Sequence, residues 1–288
     1  MGLFDELDAL TQRSRDNILK PLFAYPGGKS KSAEKIVDIL PHSSVYVEPF
    51  GGSAAVLLCK APCKLDVYND RWSGVVDFYR CIRSPELCDK LCAWLELTVH
   101  SREDFCFCRE TWKNTADIVE RAGRWYYMVQ YSFGSLGRNF GRSTTSKARL
   151  ASIRDRLPLF APIHERFKYV QIENQDWEQC CYDYDSEDTV FYLDPPYLGT
   201  DSGIYGHKMP IDAHRHLLDV VFRLKGFVAL SGYDNSLYNN RDWDDRHEWK
   251  AFVSIQSLHT ADGGYKEMLA NVEKRGHATE VLWIKESR

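Results

Sequence analysis

The stretch SSVYVEPFGGSAAVLLCKAPCKLDVYNDRWSGVVDFYRCI, Ser43 to Ile82, decides the fold. Twice it runs from a short apolar, β-favouring segment (VYV, then LDVY) through a tight turn into a helical apolar period. Strands alternating with helices argue for a parallel α/β sheet. Upstream, LFAYPGGKSKSAEKIVDIL adds a glycine loop and a helix. Downstream, the alternation returns in FKYVQIEN, TVFYLDPPY, IDAHRHLLDVVFRLKG, FVALSGY, HEWKAFVSIQS and ATEVLWIKE.

The alternation is broken between residues 85 and 168. ELCDKLCAWLEL and DIVERAGRWYYMVQYSF carry a helical period, and Ser101 with Asp104 marks a helix start. A long polar run, GSLGRNFGRSTTSKAR, follows with three glycines and no apolar period, and such runs are usually functional. The expected organisation is an N-terminal helix over 1–20, a catalytic domain over 21–84 and 169–288, and a helical, basic insertion over 85–168.

The chain has 288 residues, 44% hydrophobic and 27% charged, as in ordinary globular proteins. No apolar run approaches the length of a membrane span, and the acidic start MGLFDELDAL does not read as a secretion signal. Nine cysteines without secretory context read as reduced thiols of a cytoplasmic protein. Cys106-x-Cys108 and Cys180-Cys181 lack the paired C-x2-C arms of a zinc site, so no metal is expected. Trp72, Trp125, Trp177 and Trp283 read as core, and His214 and His216 as core or surface residues without a carboxylate-rich neighbourhood. Net charge is −4, yet Arg138 to Lys168 holds eight basic residues against two acids, a net +6 that leaves −10 for the remainder. A basic island in an acidic protein suits local contact with phosphates, and equally a solvated face.

The glycine turns point to a ligand. FAYPGGKS resembles a phosphate-binding loop only at its end, because that motif needs glycine at position 23, where this chain has Phe23. What remains is a turn presenting backbone N–H groups and Lys29 near a helix start, suited to a carboxylate. VYVEPFGGSAAV is a second strand–glycine–helix unit whose Gly51 and Gly52 let a ligand approach the backbone. Asp70 ends the next strand 22 residues after Glu48, close to the spacing of about 20 at which such an acid accepts ribose hydroxyls. S-adenosylmethionine matches this set: its carboxylate suits Lys29, its ammonium Glu48 and its ribose Asp70.

VFYLDPPYLG, Val190 to Gly199, is a strand that ends in an acid, two prolines and an aromatic ring. The prolines cannot donate to a ladder and restrict their neighbours. Asp194, a free carbonyl and Tyr197 are therefore held stiffly at the sheet edge where α/β proteins bind ligands. Taken alone, the motif also reads as a rigid turn with a buried tyrosine.

FAYPGGKS, YVEPFGGSAAV, VYNDRW, the basic insertion, FYLDPPYLG and ATEVLWIK occur in the order seen in Dam-type (α-group) DNA adenine-N6 methyltransferases, which the chain resembles from about Leu22 to Lys285. The resemblance implies an α/β, Rossmann-like S-adenosylmethionine-dependent sheet, mostly parallel with the last strand antiparallel, and a helical insertion domain. It implies cofactor contacts at Tyr25, Lys29 and Asp70, and the expected cofactor set also takes in Glu48, Phe50, Gly52 and Asp194. Catalysis would fall to Asp194, Pro195, Pro196 and Tyr197, and contact with double-stranded DNA to Arg138, Asn139, Arg142 and Lys147. The family's recognition loop carries an aromatic–Asn–Gly stretch before its arginine. YSFGSLGRNFG keeps the glycines and Arg138 but departs from that pattern, which leaves the target sequence open. The fold also serves RNA and protein-glutamine methylation. Asp rather than Asn at 194 and the basic insertion favour adenine in nucleic acid. An inactive DNA-binding chain is the non-enzymatic alternative, and the intact Lys29, Asp70 and DPPY speak against it.

Overall fold

The computed structural model describes residues 18–25, 27–142, 153–199, 209–252 and 277–288. Most of the expected N-terminal helix, Lys147, and the loop before ATEVLWIK lie outside the described residues. The described residues include seven strands: β1 (Val45–Glu48), β2 (Leu65–Asn69), β3 (Val170–Glu173), β4 (Thr189–Leu193), β5 (Phe227–Tyr233), β6 (Asp245–Phe252) and β7 (His277–Lys285). They form one mixed sheet of order β3-β2-β1-β4-β5-β7-β6. The pairs β2/β3, β1/β4 and β4/β5 are parallel, whereas β7 is antiparallel to both β5 and β6. The expectation of a mostly parallel sheet with an antiparallel last strand therefore holds.

The chain divides into two compact units. The first comprises the described residues of Met1–Ile39 and Gly51–Asn174, the second Leu40–Phe50 and those of Gln175–Arg288. In the first unit, β2 and β3 are accompanied by α1 (Ala33–Ile39), α2 (Ala55–Cys59), α3 (Ser73–Arg83), α4 (Pro85–Glu96), α5 (Arg102–Thr111), α6 (Ile118–Tyr131) and α7 (Phe160–Phe167). The Ser101 hydroxyl caps α5 by accepting from Asp104 N at 3.2 Å, and Asp117 caps α6 by accepting from Glu120 N at 2.8 Å. Buried rings fasten these helices: Phe78 stacks on Tyr126 at 4.8 Å and Tyr79 on Phe167 at 4.3 Å. Trp125 is fully buried among them, whereas Trp72 is half-buried.

Part of the basic island turns inward. Arg166 Nη2 lies 2.7 Å from Asp66 Oδ2, and Lys60 Nζ reaches Asp66 Oδ1 at 2.9 Å. Arg156 and Arg154 donate to the carbonyls of Leu22 and Glu96, and Lys168 pairs with Glu165. Of the island, Arg154, Arg156, Arg166 and Lys168 thus bond within their own unit. Arg138, Asn139 and Arg142 are exposed.

The second unit holds β1, β4, β5, β6 and β7 with α8 (Trp177–Asp183), α9 (Ile211–Val221) and α10 (Ser236–Asn239). All five residues of β4 are buried, as expected of a strand covered on both faces. Trp283 is core, but Trp177 is half-buried. The two histidines separate as well. His214 is buried with Nδ1 2.7 Å from Tyr238 Oη, while exposed His216 places Nε2 2.8 Å from a Glu178 carboxylate oxygen, a partner not read from sequence.

Candidate active site

In the first unit the second glycine turn is fastened from four sides. Gly51 N donates to Asn69 O at 2.7 Å and Gly52 N to Asp70 Oδ2 at 2.9 Å. Tyr68 Oη donates to Gly52 O and Tyr79 Oη to Ser53 O, both at 2.7 Å. Gly52 has φ +50, and a Cβ there would lie 2.8 Å from the Tyr25 ring. Glycine is needed both for the backbone conformation and for the close approach.

Asp70 is the hub of this turn. Trp72 N donates to its Oδ1 at 2.7 Å, Gly52 N to its Oδ2, and the Tyr25 hydroxyl bonds the carboxylate as well. Burial pushes its carboxyl up from the usual 3.8 to about 6, against the lowering effect of those donors. An ionised carboxylate accepts about four hydrogen bonds, so three protein donors leave capacity for about one hydroxyl from a ligand. Lys29 is buried, and its Nζ donates to Gly27 O at 2.7 Å. Trp72, read from sequence as core, is half-buried and packs its ring 6.3 Å from that of Tyr25 beside this turn.

Glu48 and Phe50, which precede the glycine turn in sequence, belong to the second unit. Glu48 is buried at the end of β1 and accepts from Tyr46 Oη at 2.7 Å. Phe50 stacks on Trp177 at 5.8 Å, and His216 meets the Trp177 ring edge-on at 6.0 Å.

The DPPY corner is in the same unit, directly after β4. Asp194, Pro196 and Tyr197 are half-buried and Pro195 is buried. Tyr197 Oη donates to Glu280 Oε1 at 2.8 Å, and its ring meets Tyr233 edge-on at 4.7 Å. Burial first, then the Asp194 and Glu280 carboxylates, hold the Tyr197 phenol well above its ordinary pKa. Burial and the same two carboxylates push Tyr233 up to about 12. The corner is a region of negative potential that favours a cation and disfavours a phenolate. Glu280, Tyr233 and Trp249 were not read from the sequence. The available signal was the lone acid inside ATEVLWIK.

The segment 133–142, which was expected to contact DNA, is tied down by its own contacts in the first unit. Phe133 N donates to Asn139 O and Gly141 N to Tyr131 O, both at 2.7 Å. Arg109 Nη1 donates to Arg138 O at 2.9 Å. Phe140 stacks on His100 at 4.6 Å, with the Arg102 guanidinium 4.9 Å from its ring centroid. The backbone is thereby fixed while the side chains of Arg138, Asn139 and Arg142 stay exposed.

Residues 25–262 match the family model of the D12 class N6 adenine-specific DNA methyltransferases. The chain belongs to this family. It is an N6-adenine-specific DNA methyltransferase, and membership implies dependence on S-adenosylmethionine and DNA as substrate. No curated protein matches the chain. Among the described residues no helix is long and apolar enough to cross a membrane.

Proposed function

We infer that this D12-class enzyme methylates N6 of an adenine everted from double-stranded DNA, with Asp194, Pro195, Pro196 and Tyr197 forming the reaction corner. The observation that carries this reading is the corner itself. A wholly buried strand runs into a carboxylate, two prolines and a ring anchored through its hydroxyl.

Adenine N6 is hidden in the duplex stack, and everting the base costs a few kcal/mol. The face of Tyr197 offers stacking worth ~1–3 kcal/mol per base. Asp194 accepts one N6–H and the Pro195 carbonyl accepts the other, which turns the nitrogen lone pair out of conjugation. Positive charge developing on N6 is stabilised by the Asp194 carboxylate in the negative field of the corner, so no strong base is required before transfer. The N6 proton held by Asp194 then passes to that carboxylate and on to solvent, which leaves the methylated nitrogen neutral. The prolines keep the two acceptors at fixed positions, which is catalysis by placement and charge.

S-adenosylmethionine, when bound, supplies an electrophilic methyl group on a positively charged sulfur. The donor set fits it: Lys29 suits its carboxylate, Glu48 its ammonium, and Asp70 has acceptor capacity left for a ribose hydroxyl. Tyr25, Phe50 and Gly52 add aromatic faces and a close backbone approach. Protonating Asp70 turns an acceptor oxygen into a donor. Cofactor affinity is therefore expected to fall as pH drops through about 6, by at most tenfold per pH unit, and Asp70→Asn to flatten that profile. Because the folded-state pKa is raised above 3.8, the group's own contribution to stability is present at low pH and lost as pH rises through about 6. Weaker binding on acidification thus cannot be ascribed to unfolding through Asp70. Titration calorimetry between pH 5 and 8 checks this, and an identical profile in Asp70→Asn removes Asp70 from the site.

Arg138, Asn139, Arg142 and Lys147 are assigned to the DNA backbone and base edges. Tritium-methyl transfer is expected into duplex DNA and not into RNA of the same sequence. The double variant Arg138→Ala/Arg142→Ala is expected to weaken duplex binding and to reduce the salt slope by about 2, with cofactor affinity unchanged. Equal transfer to RNA, or an unaltered salt slope, overturns the respective assignment.

A further inference from the structure

We propose that Glu280 is a positioning residue for methyl transfer, orienting the Tyr197 ring on which the everted adenine stacks. It deepens the function inferred above and rests on Tyr197 being that ring. Glu280 lies on β7 and is only 6% exposed. A carboxylate inside a sheet is costly unless both oxygens are bonded. Here both are: Oε1 accepts from Tyr197 Oη at 2.8 Å and Oε2 from Trp249 Nε1 at 3.1 Å.

Strand register sets this arrangement. Glu280 is paired directly with Tyr233 on β5 and with Trp249 on β6. Tyr233 also meets the Tyr197 ring edge-on. The ring is therefore held at its hydroxyl by Glu280 and at its side by the residue paired with Glu280. A tyrosine ring can still turn about two side-chain bonds after its backbone is fixed, so the prolines hold the loop but not the ring plane. The hydrogen bond to a charged acceptor removes that remaining freedom.

The test uses the full chain with two duplexes: one carrying 2-aminopurine at the target, whose fluorescence rises on eversion, and one carrying adenine there, on which single-turnover methyl transfer is measured. Glu280→Ala is expected to lose most of the fluorescence rise and to slow transfer about tenfold or more, with S-adenosylmethionine affinity within twofold of the parent. Glu280→Gln keeps an acceptor and is expected to restore both to within about threefold. Tyr197→Phe keeps the ring but not the bond, and its effect should not multiply with that of Glu280→Ala.

Normal eversion in Glu280→Ala, multiplicative effects in the double variant, or a parent-like Tyr197→Phe each overturns the proposal. The last applies even if Glu280→Ala does not fold. Tyr197→Ala separates the two levels. Normal eversion there removes Tyr197 as the stacking ring, while loss of eversion there with a normal Glu280→Ala removes only Glu280.

Discussion

Replacing Asp194 with alanine is expected to lower the methyl-transfer rate about 10³-fold, or roughly 4 kcal/mol of barrier, while S-adenosylmethionine still binds. Asp194 follows a fully buried strand and is fixed by the two prolines after it. Its charge contributes to raising the pKa of Tyr192, Tyr197 and Tyr233, so the surrounding groups sense a strong negative field. That field stabilises a nitrogen that becomes cationic only as the methyl arrives, and such selectivity for the transition state raises the chemical rate rather than substrate affinity. Asp194→Asn keeps an acceptor and loses the charge, so a smaller loss, about tenfold, is expected. Single-turnover transfer with saturating cofactor and duplex isolates this step. A rate for Asp194→Ala within threefold of the parent would remove this carboxylate from the reaction.

Replacing Asp66 with alanine is expected to destabilise the first unit by roughly 3–5 kcal/mol, a fall in Tm on the order of 10 °C. Asp66 is 2% exposed and takes Lys60 on one oxygen and Arg166 on the other, with Cys63 N also donating to Oδ2 at 3.2 Å. Both cations are themselves largely buried, so removing the anion leaves two positive charges in a poorly hydrated place. By contrast, the exposed pair Glu165–Lys168 is screened by solvent and contributes little, and breaking it serves as the control. Asp66 lies on β2, the strand that ends at Asn69 and delivers Asp70 to the glycine turn, so cofactor binding should weaken along with stability. Thermal denaturation of both variants decides the matter. An Asp66→Ala Tm within 2 °C of the parent contradicts the buried-charge account.

Much of the candidate site was legible before folding because its signals are local. Proline after a strand, glycine where a backbone must approach a ring, and an acid at a strand end each report a constraint over a few residues. Asp194, Gly52 and Asp70 could be picked out in this way. Helix starts were legible for the same reason, as Ser101 with Asp104 illustrates. The roles of Trp72 and Trp177 were not, because half-burial beside Tyr25 and Phe50 depends on which residues pack there and not on hydropathy.

The sequence by itself determined the alternation of strands and helices, the stiff acidic corner and the glycine turns, since period, proline and glycine act within a few bonds. Only the tertiary structure decided which charges are partners. It turned Arg166 inward to Asp66 and set Glu280 between Tyr197 and Trp249. Those pairings depend on strand register and helix packing across 83 residues from Tyr197 to Glu280, and on 100 residues from Asp66 to Arg166. A charged side chain looks the same in sequence whether it ends in water or against a buried partner, because the difference lies in the surroundings that folding supplies.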